Sequence, residues 1–242
     1  MSTGSQSKRL FFQTLGCPKN RVDSEVMLGS LAGQGYELVA EPEDADVMVV
    51  NTCSFIEASK VESIDAIMEL VNAKEGTDKR VVVAGCFAQR YSDAIVDEIP
   101  EVDLVIGTGE YHRITELLDE PRAEAPTVAI GRPYYVHDTE TPRMITTVDG
   151  SGLSHMAYLK IAEGCSQRCT FCIIPKLRGK QRSRGIADLV AETKQLAGMG
   201  VRELNLIAQD LTHYGVDLKD GTELHDLLPA LADVDGIDWI RL

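Results

Sequence analysis

The chain has 242 residues, which at roughly 150 per domain is one large domain or two small ones. With 44% hydrophobic and 26% charged residues it has the apolar side chains for a real core, which excludes a disordered segment. Six Cys are too sparse for a disulfide scaffold, no apolar run approaches the roughly 18 residues of a membrane span, and the first residues lack the apolar core of a secretory signal. The expectation is a cytoplasmic, monomeric protein with reduced thiols, in which Cys serves metal binding or catalysis. A net charge of −14 argues against nucleic acid as the main partner, because phosphate binding wants Lys and Arg. The charge is uneven: residues 1–150 hold 13 basic and 26 acidic side chains, and residues 151–242 hold 11 and 12.

In chain order, strands are predicted over 10–15, 36–39, 47–51, 81–84 and 104–107, several of them dense in Val as buried parallel strands are. Helices are predicted between them over 22–34, 57–72, 88–99 and 110–118. In the second, Ile56, Ile64, Ile67, Met68 and Val71 recur at helical spacing. This alternation implies an α/β domain over residues 1–120, with a parallel, helix-covered sheet of flavodoxin-like order 2-1-3-4-5. Asp23 and Glu25 are expected in the first turn of the first helix, where its dipole favours acids.

Residues 121–154 are punctuated by Pro and Gly and read as a linker with one extended hairpin. Alternation then resumes in a second domain over 155–242. Its predicted elements are a strand at 157–163, a helix at 186–199, a strand at 203–210, a helix at 224–234 and a strand at 237–242. That domain is far short of the roughly 250 residues of a closed eight-unit barrel. Either this domain is a small open sheet, or the chain is a fragment of a longer protein and holds the first part of a barrel; the fragment is the expectation.

Cys165, Cys169 and Cys172 form C-x-x-x-C-x-x-C after the first strand of the second domain, at the carboxyl end where α/β barrels place their sites. Structural zinc and electron-carrier clusters usually close their shell with four protein ligands. Three ligands leave a metal position open for a substrate or cofactor. A zinc site with a distant fourth ligand and thiols without a ligand role stay open as readings. Cys17, Cys53 and Cys86 are far apart in sequence, yet each follows a predicted strand, the first, third and fourth. They therefore emerge at one carboxyl edge of one sheet, and Gly16 and Gly85 before two of them allow close backbone approach. Buried core thiols are the alternative.

The Cys165–Cys172 loop, with Phe171 before its third Cys, looks like the cluster loop of radical S-adenosylmethionine enzymes. Together with TLGCPKNRVDSE (14–25), NTCSFIEASKVESID (51–65), the Gly-Cys pair at 85–86, EGCSQRCTFCIIPKLRGKQRSR (163–184) and ELNLIAQD (203–210), it resembles the methylthiotransferases. Pro18-Lys19-Asn20 and the IIPKLRG run are similar to the branch that modifies a ribosomal-protein aspartate; the transfer-RNA adenosine branch is the second reading.

This resemblance implies two 4Fe–4S clusters and S-adenosylmethionine as cofactors. One cluster, on Cys165, Cys169 and Cys172, would hold S-adenosylmethionine, whose reductive cleavage gives a deoxyadenosyl radical. The other, on Cys17, Cys53 and Cys86, would present the sulfur that becomes methylthio. The implied partners are an external electron donor and, as substrate, an aspartate of the twelfth small-subunit ribosomal protein, a basic partner. The family continues through further βα units and a small β-domain, so this chain is expected to hold clusters and catalyse poorly.

Beside the loop, Lys176, Arg178, Lys180, Arg182 and Arg184 recur at every second position, which if extended makes one basic face able to meet a cofactor carboxylate. Phe171 is a candidate to lie against the adenine, and Gln209, with Asp210, ends a strand facing the expected site. The five His have no partner at ligand spacing and are assigned no role. A different class, an iron–sulfur electron carrier or redox sensor, stays open; production of deoxyadenosine from S-adenosylmethionine discriminates it.

Overall fold

The computed structural model describes residues 8–145 and 155–242, which form two units, Met1–Pro133 and Tyr134–Leu242. In the first unit the strands are β1 (Lys8–Thr14), β2 (Tyr36–Leu38), β3 (Val47–Thr52), β4 (Arg80–Gly85), β5 (Leu104–Ile106) and β6 (Thr127–Ala129). They form one parallel sheet in the order β2-β1-β3-β4-β5-β6. The helices are α1 (Pro18–Gly33), α2 (Glu57–Lys74), α3 (Cys86–Glu98) and α4 (Ile114–Asp119). The flavodoxin-like order expected for the first five strands is the one observed.

Strand alternation sends Met48, Val50, Val81, Val83 and Val105 to one face, where they pack on Ala66, Ile67 and Leu70 of α2 and Ala88 and Ile95 of α3. Val49, Val82, Leu104 and Ile106, equally buried, alternate with them, and α1 packs against α4. The buried stripe of α2 is Ser63, Ala66, Ile67 and Leu70, an i, i+3, i+4, i+7 set. Ile56, Ile64 and Met68, which also fit a helical period, are exposed instead.

Three local features differ from the sequence expectations. Helix α1 begins at Pro18, four residues early, because Pro at the first position is preset for a helix and Cys17 takes the extended N-cap conformation. Asp23 and Glu25 are therefore past the first turn and buried, with Glu25 paired to Arg21 at 3.3 Å. Residues 121–133 contribute β6, parallel to β5, so the described part of the linker segment contains no hairpin. The remainder of that segment, 146–154, lies outside the described residues, as do residues 1–7.

The second unit has β7 (Met156–Lys160), β8 (Ala162–Glu163), α5 (Ile174–Arg178), β9 (Arg182–Ser183), α6 (Ile186–Gly198), β10 (Glu203–Ile207), α7 (Leu224–Ala232) and β11 (Trp239–Arg241). Strands β11, β10 and β7 form a parallel sheet in that order, and β8 and β9 make a short antiparallel ladder. Its core joins Leu159, Ile161, Leu204 and Leu206 of the sheet side to Leu189, Leu196, Leu227 and Leu231 of α6 and α7. Among the described residues no helix is long and apolar enough to cross a membrane.

Candidate metal centres

Parallel strands all end on one edge, so residues that follow neighbouring strands meet there. Strands β1, β3 and β4 are neighbours, with Thr14 beside Asn51 and Thr52 beside Gly85. Cys53 directly follows β3 and Cys86 directly follows β4, while Cys17 follows β1 after a two-residue turn. Cys17 caps α1 and Cys86 opens α3, positions where a helix dipole favours bound negative charge. Cys53 and Cys86 are buried and Cys17 is exposed.

Gly16 has φ of +88°, and a Cβ there would lie 2.6 Å from the Cys53 Cβ and 2.9 Å from its Sγ. Only a glycine lets the Cys17 turn come this close to Cys53. Gly85 is likewise left-handed, at φ +95°.

In the second unit, Cys165, Cys169 and Cys172 occupy the loop between β8 and α5, at the carboxyl end of β7. The Cys165 amide donates to the Gly179 carbonyl at 3.0 Å, and the Cys172 amide donates to the Cys169 carbonyl at 3.1 Å. Gly164, at φ +78°, lets this loop lie on the 179–180 backbone; a Cβ would meet the Lys180 carbonyl and sit 2.7 Å from that of Gly179. Cys165 is buried, Cys172 half-buried and Cys169 exposed. Among the described residues no three Cys, His, Asp or Glu side chains are closed around a single-ion position.

An ion triad underlies this loop. Glu163 accepts from Lys160 at 2.8 Å and from Arg178 at 3.1 Å, and all three side chains are buried. Burial alone would raise the Glu163 carboxyl, but the two cations outweigh it and hold the group well below the usual carboxylate range. Gln209, just past β10, donates from Nε2 to Glu163 at 2.6 Å. Its Oε1 is buried without a hydrogen-bond partner among the described residues. Gln167, inside the Cys loop, donates to Asp210 at 3.3 Å, and Asp210 pairs with His213 at 2.9 Å.

Each set places three thiols on a shared edge or loop, with glycine where the backbone must approach closely, the donor type that multi-iron centres use. Comparison with known proteins bears on the same residues. Residues 9–107 match the uncharacterized protein family UPF0004. Over 235 residues the chain is 55% identical to the ribosomal protein uS12 methylthiotransferase RimO of Anaeromyxobacter sp. (strain K), covering 97% of this chain and 49% of that protein. It is 56% identical over 237 residues to the protein of the same name from Myxococcus xanthus (strain DK1622), covering 97% and 48%.

Over 97% of its length the chain is thus similar to proteins named as uS12 methylthiotransferases.

It spans about half the length of these curated relatives. The fold is shared with solved radical S-adenosylmethionine enzymes of low identity. One is the methyltransferase TsrM from Kitasatospora setae, with cobalamin and a [4Fe-4S] cluster bound (TM-score 0.57, 16% identity, 96% of this chain and 54% of that one). Another is the cobalamin-dependent enzyme OxsB (TM-score 0.57, 12% identity, 97% and 38%).

Within this fold, the other candidate residues fall in different places. Gln209 and Asp210 come to the Cys165–Cys172 loop. Phe171 is 91% exposed on that loop and does not pack beneath it. Arg184 is buried; its guanidinium bonds Asp188 at 2.7 Å, Glu192 at 2.5 Å and the Lys160 carbonyl at 3.1 Å. The five alternating cations do not form one face. Residues 174–178 are helical, and Arg178 and Arg184 turn inward to meet Glu163 and Glu192. Only Lys176 and Lys180 are fully exposed.

Sequence reasoning missed the ion triad and the His213–Asp210 pair. The available signals were Lys160 three residues before Glu163, itself next to Gly164-Cys165, and His213 three residues after Asp210. It also missed buried His137, which lies 3.8 Å from Glu192 and 3.3 Å from Arg184.

Proposed function

We propose that this chain carries the two iron–sulfur sites of an S-adenosylmethionine-dependent methylthiotransferase that modifies an aspartate side chain of ribosomal protein uS12. The observation that carries the reading is the pairing of two three-Cys sets, one on the shared edge of β1, β3 and β4 and one on the loop after β8. The names of the relatives at 55% and 56% identity support the substrate. The acidic first 150 residues suit a basic ribosomal protein.

Cys17, Cys53 and Cys86 would hold one 4Fe–4S cluster, and Cys165, Cys169 and Cys172 the other, each with one iron left to non-protein ligands. When bound, these groups and S-adenosylmethionine supply electron transfer, hydrogen removal, sulfur and methyl. The chain's own part is to bind and orient. The orphan Oε1 of Gln209 is an acceptor for the amino group of the cofactor. Phe171 offers an exposed ring to its adenine. The Lys160–Glu163–Arg178 triad fixes the start of the loop and leaves one net positive charge under an anionic cluster. Arg184 serves as a tie between β7, the start of α6 and Glu192. The protein acts as a cytoplasmic monomer with an external one-electron donor.

The test is mass spectrometry of uS12 from cells with and without the gene. The reading requires a methylthio group, sulfur and methyl replacing one hydrogen, on one aspartate only when the gene is present. Unmodified uS12 in both, with methylthiolated transfer RNA in the first, would transfer the assignment to the other branch.

A further inference from the structure

We infer that Asn20 is the positioning residue of the first Cys set, a single carboxamide that ties together the turns bearing Cys17, Cys53 and Cys86. The inference rests on the reading that these three thiols hold an iron–sulfur cluster. Asn20 is fully buried in the first turn of α1, three residues after Cys17. Its Nδ2 donates to the Leu15 carbonyl at 3.0 Å and to the Thr52 carbonyl at 2.9 Å. The first carbonyl begins the Gly16-Cys17 turn; the second immediately precedes Cys53. On its other side, Oδ1 accepts from the Cys86 thiol at 3.8 Å, a contact that becomes packing alone once that thiol is a metal-bound thiolate. One side chain thus touches all three strand ends.

The geometry demands an amide. Both Nδ2 hydrogens are engaged by carbonyls at the ends of different strands, Leu15 just past β1 and Thr52 closing β3, and a primary carboxamide is the shortest side chain that supplies two donors from one atom beside an acceptor. An aspartate of the same shape would turn a carboxylate toward two carbonyl oxygens and donate to neither. Asn20 is itself held. Asn51 donates from Nδ2 to the Asn20 carbonyl at 2.9 Å and to Ser24 at 2.9 Å, and Thr14 donates to Ser24 at 2.7 Å. Other polar side chains secure fewer turns: Ser63 brackets Cys53 through its amide at 3.1 Å and carbonyl at 2.8 Å, and Ser54 reaches the Cys86 carbonyl at 3.1 Å. Residues behind a metal's ligands typically change its retention by about 10- to 100-fold when removed.

The experiment uses the full chain with Cys165, Cys169 and Cys172 replaced by Ala, so that one site remains. Three proteins are reconstituted anaerobically: this parent, its Asn20→Asp variant and its Ser24→Ala variant. Each is titrated with an iron chelator, and the reduced-state electron paramagnetic resonance spectrum and the melting temperature without iron are recorded. Ser24→Ala disturbs the same buried network without touching the three turns. The expected result is that Asn20→Asp loses iron at about tenfold lower chelator concentration or below, with an altered spectrum, while Ser24→Ala keeps the parent's retention and spectrum. Parent-like retention and spectrum in Asn20→Asp would overturn the inference. So would iron loss that follows melting temperature equally in both variants, since stability alone would then explain it. A parent that holds no cluster removes the three-Cys reading and the inference with it, which separates that failure from the others.

Discussion

Thr52 and Gly85 lie opposite each other in the register of β3 and β4, and in both strands the next residue is a cysteine. Adjacent parallel strands separate neighbouring backbones by about 4.8 Å, so Cys53 and Cys86 are brought together by sheet register across 33 residues of sequence. Cys17 joins them from β1 on the other side of β3.

Gly16 should be intolerant of substitution. Gly16→Ala places a Cβ 2.6 Å from that of Cys53 and imposes a left-handed conformation on alanine. The expected cost is about 1–3 kcal/mol in urea unfolding, with loss of iron from the first site. Gly33→Ala is the control, because nothing lies within 4 Å of its Cβ and its φ is not left-handed; it should be neutral or stabilising by about 0.5 kcal/mol.

Breaking the ion triad should be costly. Glu163→Gln leaves Lys160 and Arg178 buried beside a neutral side chain. Removing one partner from such a set costs about 3–5 kcal/mol. A Lys160→Met, Glu163→Gln double variant should lose less than the two single losses combined, by more than about 0.5 kcal/mol. Additive losses in denaturant melts would show that the pair is not coupled.

Phe171→Ala should separate stability from binding. The ring is 91% exposed, so the melting free energy should stay within about 0.5 kcal/mol. Loss of a base-stacking surface should weaken S-adenosylmethionine binding to the reconstituted protein by about tenfold in equilibrium dialysis. Unchanged binding would remove Phe171 from the cofactor site.

Acid should weaken the second unit before its carboxylates titrate. Burial pushes His137 down to about 4, against the pull of Glu192. Between about pH 6.5 and 4 the unfolded chain binds a proton that the folded chain does not, so stability falls as pH falls through this window, by about 3 kcal/mol. His112 is also lowered by burial and adds to the trend in the first unit. Glu163 and Glu192, both held low, add their own loss below about pH 4.5. His137→Gln should flatten the profile above about pH 4.5; an unchanged slope there would show that His137 does not carry it.

Much of the fold was legible because Val-rich runs and helix stripes alternate cleanly, and topology rules then leave few strand orders. β6 was not, since Thr127–Ala129 is three residues long with Val128 exposed and prolines close on both sides. The strand-end positions of Cys17, Cys53 and Cys86 and the Cys165–Cys172 loop were legible from strand patterns and motif spacing. Their supports were less visible, because Asn20 acts through bonds that include one to Thr52, 32 residues away. The alternating Arg and Lys misled for a related reason. Arg184 has Asp188 and Glu192 at i+4 and i+8, on one side of α6, and these acids, Glu192 buried and Asp188 half-buried, draw it inward.

The most direct test of two three-Cys centres is iron and sulfide per chain after anaerobic reconstitution. Two 4Fe–4S clusters require about eight of each, falling to about four when either Cys17, Cys53 and Cys86 or Cys165, Cys169 and Cys172 are replaced by Ala. About four in the unaltered chain, unaffected by replacing one of the two sets, would contradict the account.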